Sequence, residues 1–400
     1  MVFLTAARKS RLGGTACIRY SSATFSTAAS RKGEEKVKYR IKLFAGRRDG
    51  AATPSPAIPR RTFLAGLAAL SAGTLLPGCA TESAGPAAVG GKPYRIDTHH
   101  HHIPPNYLAS IPRARGGGKP PVWTPARSLE DMDKNGIATS ITSIIPDGVW
   151  FNDVALARRL ARECNDYAAK LARDYPGRYG IFASLALPDI DGSLREIEYA
   201  SDVLKADGFA LMTSFGDKYP GDAAFWPVLE ELNRRKAIVY THPLTCCGNP
   251  VAQWISSSAI EYTADTTRAI ASLLFSGAAA RYPDIRWVFS HGGGVMPFVY
   301  SRFTRQEASL PAAERAKLLP NGVEYEIRKF YYETAQANHA GAIAALLKVA
   351  PVSQVMFGTD FPFRPGSEVV EGLQQYGFTR ADLAAIERGN ALRLLPRWNV

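Results

Sequence analysis

Residues 94–400 are predicted to fold as a (β/α)8 TIM barrel, a closed parallel sheet wrapped in helices, and three observations lead there. Eight short apolar runs alternate with amphipathic stretches along this segment. Polar residues gather at the C-terminal ends of several runs, where barrel enzymes keep their chemistry. No Gly-x-Gly-x-x-Gly turn follows an early run, which weighs against the runner-up, a doubly wound open sheet.

The first strand, Arg95–Asp97, runs into Thr98-His99-His100-His101-His102-Ile103-Pro104, which holds four of the seven histidines of the chain. Residues two apart on extended chain share a face. Asp97, His99 and His101 are therefore expected to project together, with His100 and His102 facing away. Two imidazoles and a carboxylate on one face suit a divalent transition metal; the plain alternative is a histidine-rich loop.

Thr139–Ile145 is the second strand, and the following Trp150-Phe151 reads either as an aromatic pocket wall or as core packing. Tyr179–Ala186 and Gly208–Thr213 are the third and fourth. Ala237–His242 ends in Tyr-Thr-His-Pro, and Arg286–His291 runs into Gly292-Gly293-Gly294. Lys329–Thr334 is the seventh, and Gln354–Asp360 the eighth, ahead of Phe361-Pro362. Amphipathic spacing predicts helices over Asp153–Arg173, Leu194–Lys205, Ala223–Arg235, Asp265–Ala280, Pro297–Glu307 and Ala340–Lys348. Taken singly, His242 reads as a satisfied core histidine, His291 as the lead into a glycine turn and Asp360 as a turn cap. Polar ends on strands one, five, six and eight together are much harder to obtain by chance.

The net charge of +12 looks like a nucleic-acid binder until it is placed along the chain. Residues 1–61 hold fourteen Lys/Arg against three Asp/Glu, which is +11 of it. The body is close to neutral and offers no footprint for nucleic acid. The five cysteines, Cys17, Cys79, Cys164, Cys246 and Cys247, form no disulfide framework and no Cys-x-x-Cys site.

Residues 1–59 are expected to be a disordered extension, rich in Arg and Ser, which also describes an organelle transit peptide or an over-extended reading frame. Over 60–79, Arg60-Arg61 precede a modest apolar run that ends Leu76-Pro77-Gly78-Cys79. This pattern resembles a twin-arginine signal with an imperfect lipobox, and it predicts export, to the periplasm or to a membrane anchored through lipid on Cys79. Should the leader reading fail, a cytoplasmic or organellar location follows. Residues 80–93, rich in Ala, Gly and Pro, read as a linker to the 94–400 barrel.

Asp-x-His-x-His-x-x-Pro at 97–104, Thr-His-Pro at 241–243, Ser-His-Gly-Gly-Gly at 290–294 and Gly-Thr-Asp-Phe-Pro at 358–362 resemble the amidohydrolase-related decarboxylases. That group includes aminocarboxymuconate-semialdehyde, γ-resorcylate and 6-methylsalicylate decarboxylases. Asp265-Thr266-Thr267-Arg268, Ala206-Asp207-Gly208 and Met132–Ile137 look most like the 6-methylsalicylate branch. The resemblance implies a barrel of the metal-dependent hydrolase type, with His99, His101, His242 and Asp360 holding one divalent ion and Asp97 beside it. His291 would be the catalytic histidine, with Asp360 moving a proton. Strand four ends Leu211-Met212-Thr213-Ser214, without the modified lysine that bridges two metals in other amidohydrolases, so one ion is expected. Zn2+ is the first expectation, Mn2+ the alternative, with no organic cofactor.

The expected reaction is non-oxidative decarboxylation of a small hydroxyaromatic or unsaturated carboxylic acid, which makes the chain a carboxy-lyase. The same residues suit a hydrolase of a lactone or amide, and the leader leaves open a non-catalytic exported binding lipoprotein. Arg302 is a candidate clamp for a substrate carboxylate, reaching a neighbouring subunit's site in a homodimer, or else a surface arginine. Arg113 and Arg115 follow strand one and are further candidates at the mouth. His339 is expected to sit on a loop without a role.

Overall fold

Strand β1, Arg95–His102, is buried at every position, and its histidines belong to the strand itself rather than to a loop after it. It pairs in parallel with β2 (Ile137–Ile144), followed by β3 (Tyr179–Ser184), β4 (Gly208–Met212), β5 (Ile238–His242), β6 (Arg286–Phe289), β7 (Tyr331–Glu333) and β8 (Val355–Met356). The eight strands lie in sequence order, the arrangement that right-handed helical crossovers produce. The ring closes between β1 and the segment after β8: Thr98 N–H donates to Phe357 O at 2.9 Å and His101 N–H to Phe361 O at 2.8 Å. This computed structural model describes residues 93–111, 121–245, 251 and 253–399. The 1–59 extension, the 60–79 signal with Cys79, nearly all of the linker, Arg113, Arg115 and Cys246-Cys247 lie outside them.

All eight predicted strands are present. β6 and β8 stop short of their apolar runs ahead of His291 and Asp360, whose positive φ of 53° and 65° departs from extended chain, and β7 begins late because a helix runs through Lys329. The barrel interior is filled by Ile96, Ile141, Phe182, Ala210, Ile238, Tyr240, Val288 and Met356, with Ala391 and Leu394 packed against them from the C-terminal helices. Phe182 and Tyr240 stack at 5.6 Å and floor the metal rim.

The outer layer carries the larger core. Among its helices are α1 (Pro125–Lys134), α2 (Val154–Asp174), α3 (Ile190–Asp202), α4 (Trp226–Arg234), α5 (Ser257–Phe275), α6 (Met296–Ser309), α7 (Ala340–Val349) and α8 (Gly366–Tyr376). Thr124 and Asp153 cap α1 and α2, accepting from the N–H groups of Arg127 and Leu156. Helix α5 starts eight residues before its predicted start at Asp265. The serines and threonine of its first turns hide the apolar period there, and packing against the barrel overrides that weak propensity. Among the described residues no helix is long and apolar enough to cross a membrane.

Candidate metal centre

The strand that carries most of the site is irregular. Asp97 pairs with Ser140 and His100 with Thr142, so β1 holds one residue more than β2 between these points. This bulge resets the alternation. Asp97 therefore shares a side with His100, and the expectation that it projects with His99 and His101 is corrected. Its carboxylate accepts from His100 Nδ1 at 3.0 Å, Thr359 Oγ1 at 2.7 Å, and the N–H groups of His99 and Thr359 at 3.0 Å each. His100 is held between Asp97, Ser128 Oγ at 2.8 Å and a stacked Phe361. His102 packs beside Tyr167 on the outside of the barrel, and burial depresses its pKa to about 3.

His99, His101, His242 and Asp360 converge, with one ligand atom from each lying within 4.8 Å of the others. All four are at most 3% exposed, so these polar groups need partners. Each ring is held from behind. His99 Nδ1 faces Glu333 Oε1 at 2.9 Å, His101 Nδ1 faces Ile144 O at 3.0 Å, and His242 Nδ1 faces Pro243 O at 3.0 Å. Those oxygens only accept, so all three Nδ1 atoms carry hydrogen and the Nε2 atoms point inward. His99 Nε2 and His101 Nε2 are 3.1 Å apart, and His242 Nε2 has no hydrogen-bond partner among the described residues. Asp360 Oδ1 completes the cluster, 3.1 Å from His101 Nε2 and 3.2 Å from His99 Nε2.

Three facing nitrogens and an anionic oxygen call for a positive charge at their centre. The electrostatics agree. Burial holds His242 well below its ordinary pKa, reinforced by His101, His99 and His291; burial also lowers His101. Both are thus neutral ligands. Burial would lower His99 too, but the charges of Glu333 and Asp360 override it and raise His99 to about 10. Burial pushes Asp360 up, yet the charge of His99 and the neighbouring rings of His101 and His291 hold it well below the usual carboxylate range. A buried set of three histidines and one carboxylate fits a single divalent transition metal.

The other oxygen of Asp360 faces the opposite way. Oδ2 accepts from Gln336 Nε2 and lies 3.6 Å from His291 Nε2. Neither ring nitrogen of His291 has a hydrogen-bond partner among the described residues. The backbone N–H of His291 donates to Glu333 Oε1 at 2.6 Å, which fixes the residue in its positive-φ conformation. Gly358 makes room for this arrangement, because a Cβ there would press on Glu333 and come within 2.9 Å of His99 Cβ.

A narrow cleft opens at this end of the barrel, lined among others by Asp147, Trp150, Met212, Ser214 and Leu244. Trp150 thus walls it, whereas Phe151 is absent from the lining and packs against the hydrophobic core. Phe363 adds an aromatic edge against His101 at 5.6 Å while 41% exposed. Arg302 sits on an exposed position of α6 and does not line the cleft. His339 caps α7, its Nδ1 accepting from Gly341 N–H. Strand four ends without a lysine; Thr213 and Ser214 donate instead to Asp265.

Glu333, Gln336, Tyr262 and Asp265 were not legible as site residues. Glu333 carried a usable signal, since it is the acidic end of strand seven and falls under the same rule that found the other strand ends. Tyr262 meets His242 edge-on at 6.0 Å; burial, then Asp147 and Asp360, push its phenol up to about 12.

A closed parallel barrel with three imidazoles and a carboxylate at its C-terminal rim defines a metal-dependent enzyme of the amidohydrolase type. The amidohydrolase family profile matches residues 96–397, and the chain belongs to that family. The 6-methylsalicylic acid decarboxylase of Penicillium expansum is 35% identical over 317 residues, covering 76% of this chain and 96% of that one. Decarboxylase macB of Penicillium terrestre is 33% identical over 327 residues, with the same two coverages of 76% and 96%. Among solved structures, an amidohydrolase II superposes with a TM-score of 0.68 at 26% identity over 76% of this chain and 99% of that chain. The dihydroxybenzoic acid decarboxylase of Polaromonas, solved with manganese and 2-nitroresorcinol, shares the fold at a TM-score of 0.66 and 21% identity, over 77% and 98%.

Proposed function

We propose that this chain is a metal-dependent, non-oxidative decarboxylase of a small hydroxyaromatic or related unsaturated carboxylic acid, of the 6-methylsalicylate kind. One observation carries the reading: the carboxylate of Asp360 is divided, with Oδ1 on the ligand set and Oδ2 toward His291. Relatives named as decarboxylases at 33% and 35% identity support the reaction class.

His99, His101, His242 and Asp360 would hold the ion, Zn2+ first and Mn2+ as the alternative. When bound, it supplies Lewis acidity toward a carboxylate and an adjacent phenolic oxygen. The residues of the chain supply the rest. Trp150, Phe363 and the apolar cleft exclude water and orient an aromatic ring. His291 relays a proton to Asp360 Oδ2, which delivers it to the ring carbon bearing the carboxylate. The C–CO2 bond then breaks, its electron pair returns to the ring, and CO2 leaves from the restored arene. One proton is consumed for each CO2 released.

Metal analysis and a CO2-release assay with a panel of hydroxybenzoates test this. The expected result is one CO2 per substrate consumed, lost in His291→Ala. Turnover of lactones or amides without CO2 would instead identify a hydrolase.

Two further readings belong to this proposal. Val295 and Phe298, 40% and 87% exposed, lie at the start of α6, with Arg302 one turn beyond Phe298. Such exposed apolar side chains support a homodimer in which Arg302 clamps substrate in the partner's cleft. Light scattering should give a dimer mass, reduced to a monomer by Phe298→Glu. The 60–79 segment supports export and lipid anchoring at Cys79, so Cys79→Ala should move the protein from membrane to soluble fractions.

A further inference from the structure

Tyr262 has no part in the chemistry above, yet it stands over the ligand set. Its ring meets that of His242 at 83° and 6.0 Å. Asp147, in the loop after β2, and Asp360 are near enough for their charges to act on its phenol. Among the described residues nothing hydrogen-bonds that hydroxyl, although the residue is half-buried. A phenol is a ready donor at neutral pH, and this one is free to give its hydrogen bond to a ligand at the site.

The placement is enforced. Asp265, one turn further along α5 and fully buried, accepts from Thr213 Oγ1, Ser214 Oγ at 3.2 Å, Tyr219 Oη at 2.7 Å and Leu244 N–H at 3.3 Å. One carboxylate thus ties α5 to the loops after β4 and β5. Ser214 and Leu244 also line the cleft, so the helix that carries Tyr262 is registered directly against the cleft wall.

We propose that Tyr262 is a substrate-binding residue whose hydroxyl donates a hydrogen bond to an oxygen of the acid held at the metal rim. The proposal rests on the decarboxylase reading only for the identity of that acid.

The test is Tyr262→Phe in the full-length, metal-loaded protein, with salicylate as the calorimetric probe. A hydrogen bond to a charged oxygen is worth roughly tenfold to a hundredfold in affinity. The Kd for salicylate should rise by about that factor. KM should rise with it while kcat stays within about twofold, the pattern of an interaction made equally in ground and transition states. An unchanged Kd overturns the proposal. So does a variant that loses its metal or much of its melting temperature, because Tyr262 would then belong to the scaffold. If the wild type binds salicylate through Tyr262 but releases no CO2 from any hydroxybenzoate, the binding role stands and the decarboxylase reading falls.

Discussion

Glu333 grips His99 from behind, its Oε1 accepting the Nδ1–H at 2.9 Å with both side chains fully buried. The same oxygen takes the backbone N–H of His291 at 2.6 Å, and Oε2 takes that of Ala335 at 2.6 Å. A single carboxylate at the end of β7 therefore sets the tautomer of one ligand and the position of the histidine across from Asp360.

Glu333→Gln follows as the first test. Glutamine keeps the size, but its amide offers only one acceptor where the carboxylate serves three donors. Losing an outer carboxylate behind a ligating histidine typically costs about 10–100-fold in metal affinity. Competition with a chromogenic chelator should show that loss, and an unchanged affinity would assign Glu333 to the barrel scaffold alone.

The two oxygens of Asp360 predict a contrast between neighbours. His291→Ala removes a group that faces only Oδ2. It should keep its metal and lose at least about 10²-fold in kcat, the range of a single acid–base group. Asp360→Asn removes the anionic member of the ligand set and should lose metal and activity together. Elemental analysis beside the CO2 assay separates the two; equal metal loss in both variants would make His291 a structural residue.

Much of this was legible because barrel enzymes place chemistry at strand ends, and His99, His101, His242, His291 and Asp360 all obey that rule. What the sequence hid was local geometry. Strict alternation put Asp97 beside His99, and a bulge of one residue moved it to the side of His100. Period counting found the apolar half of α5 but not its Ser/Thr-rich start, so Tyr262 was invisible there. Gln336 lies beyond β7 at a φ of 52°, a conformation no propensity announces.

Asp265→Asn should reveal how strongly α5 depends on one carboxylate. Asparagine turns an amide toward hydroxyl and N–H donors, leaving buried groups unpaired. A cost of about 2–3 kcal/mol in unfolding free energy is expected. Metal content should be preserved, since none of the ligands contacts Asp265, while KM rises as the cleft wall loosens. Urea denaturation and steady-state kinetics read both; unchanged stability would show that the loops hold themselves.

The lower end of the barrel offers a test of pH and sign. Arg95 starts β1, and its guanidinium lies 2.7 Å from Glu387 Oε1, with only 9% and 1% of the two side chains exposed. It also donates to Asn135 O at 2.6 Å, tying the strand to the end of α1. Burial pushes Glu387 from 4.5 up to about 7. An acid whose pKa is higher folded than unfolded weakens the fold as pH rises, from the unfolded value through the folded one. Removing the cation paired with it sharpens this. Arg95→Met should therefore cost about 3–5 kcal/mol at pH 8, the usual penalty for stranding a buried charge. At pH 5 Glu387 is protonated in the folded state and much of that penalty should disappear. The paired variant Arg95→Met, Glu387→Leu should recover stability at pH 8. Urea midpoints at the two pH values decide it: a loss that does not depend on pH would mean that Arg95 acts through Asn135 and packing, not through its charge.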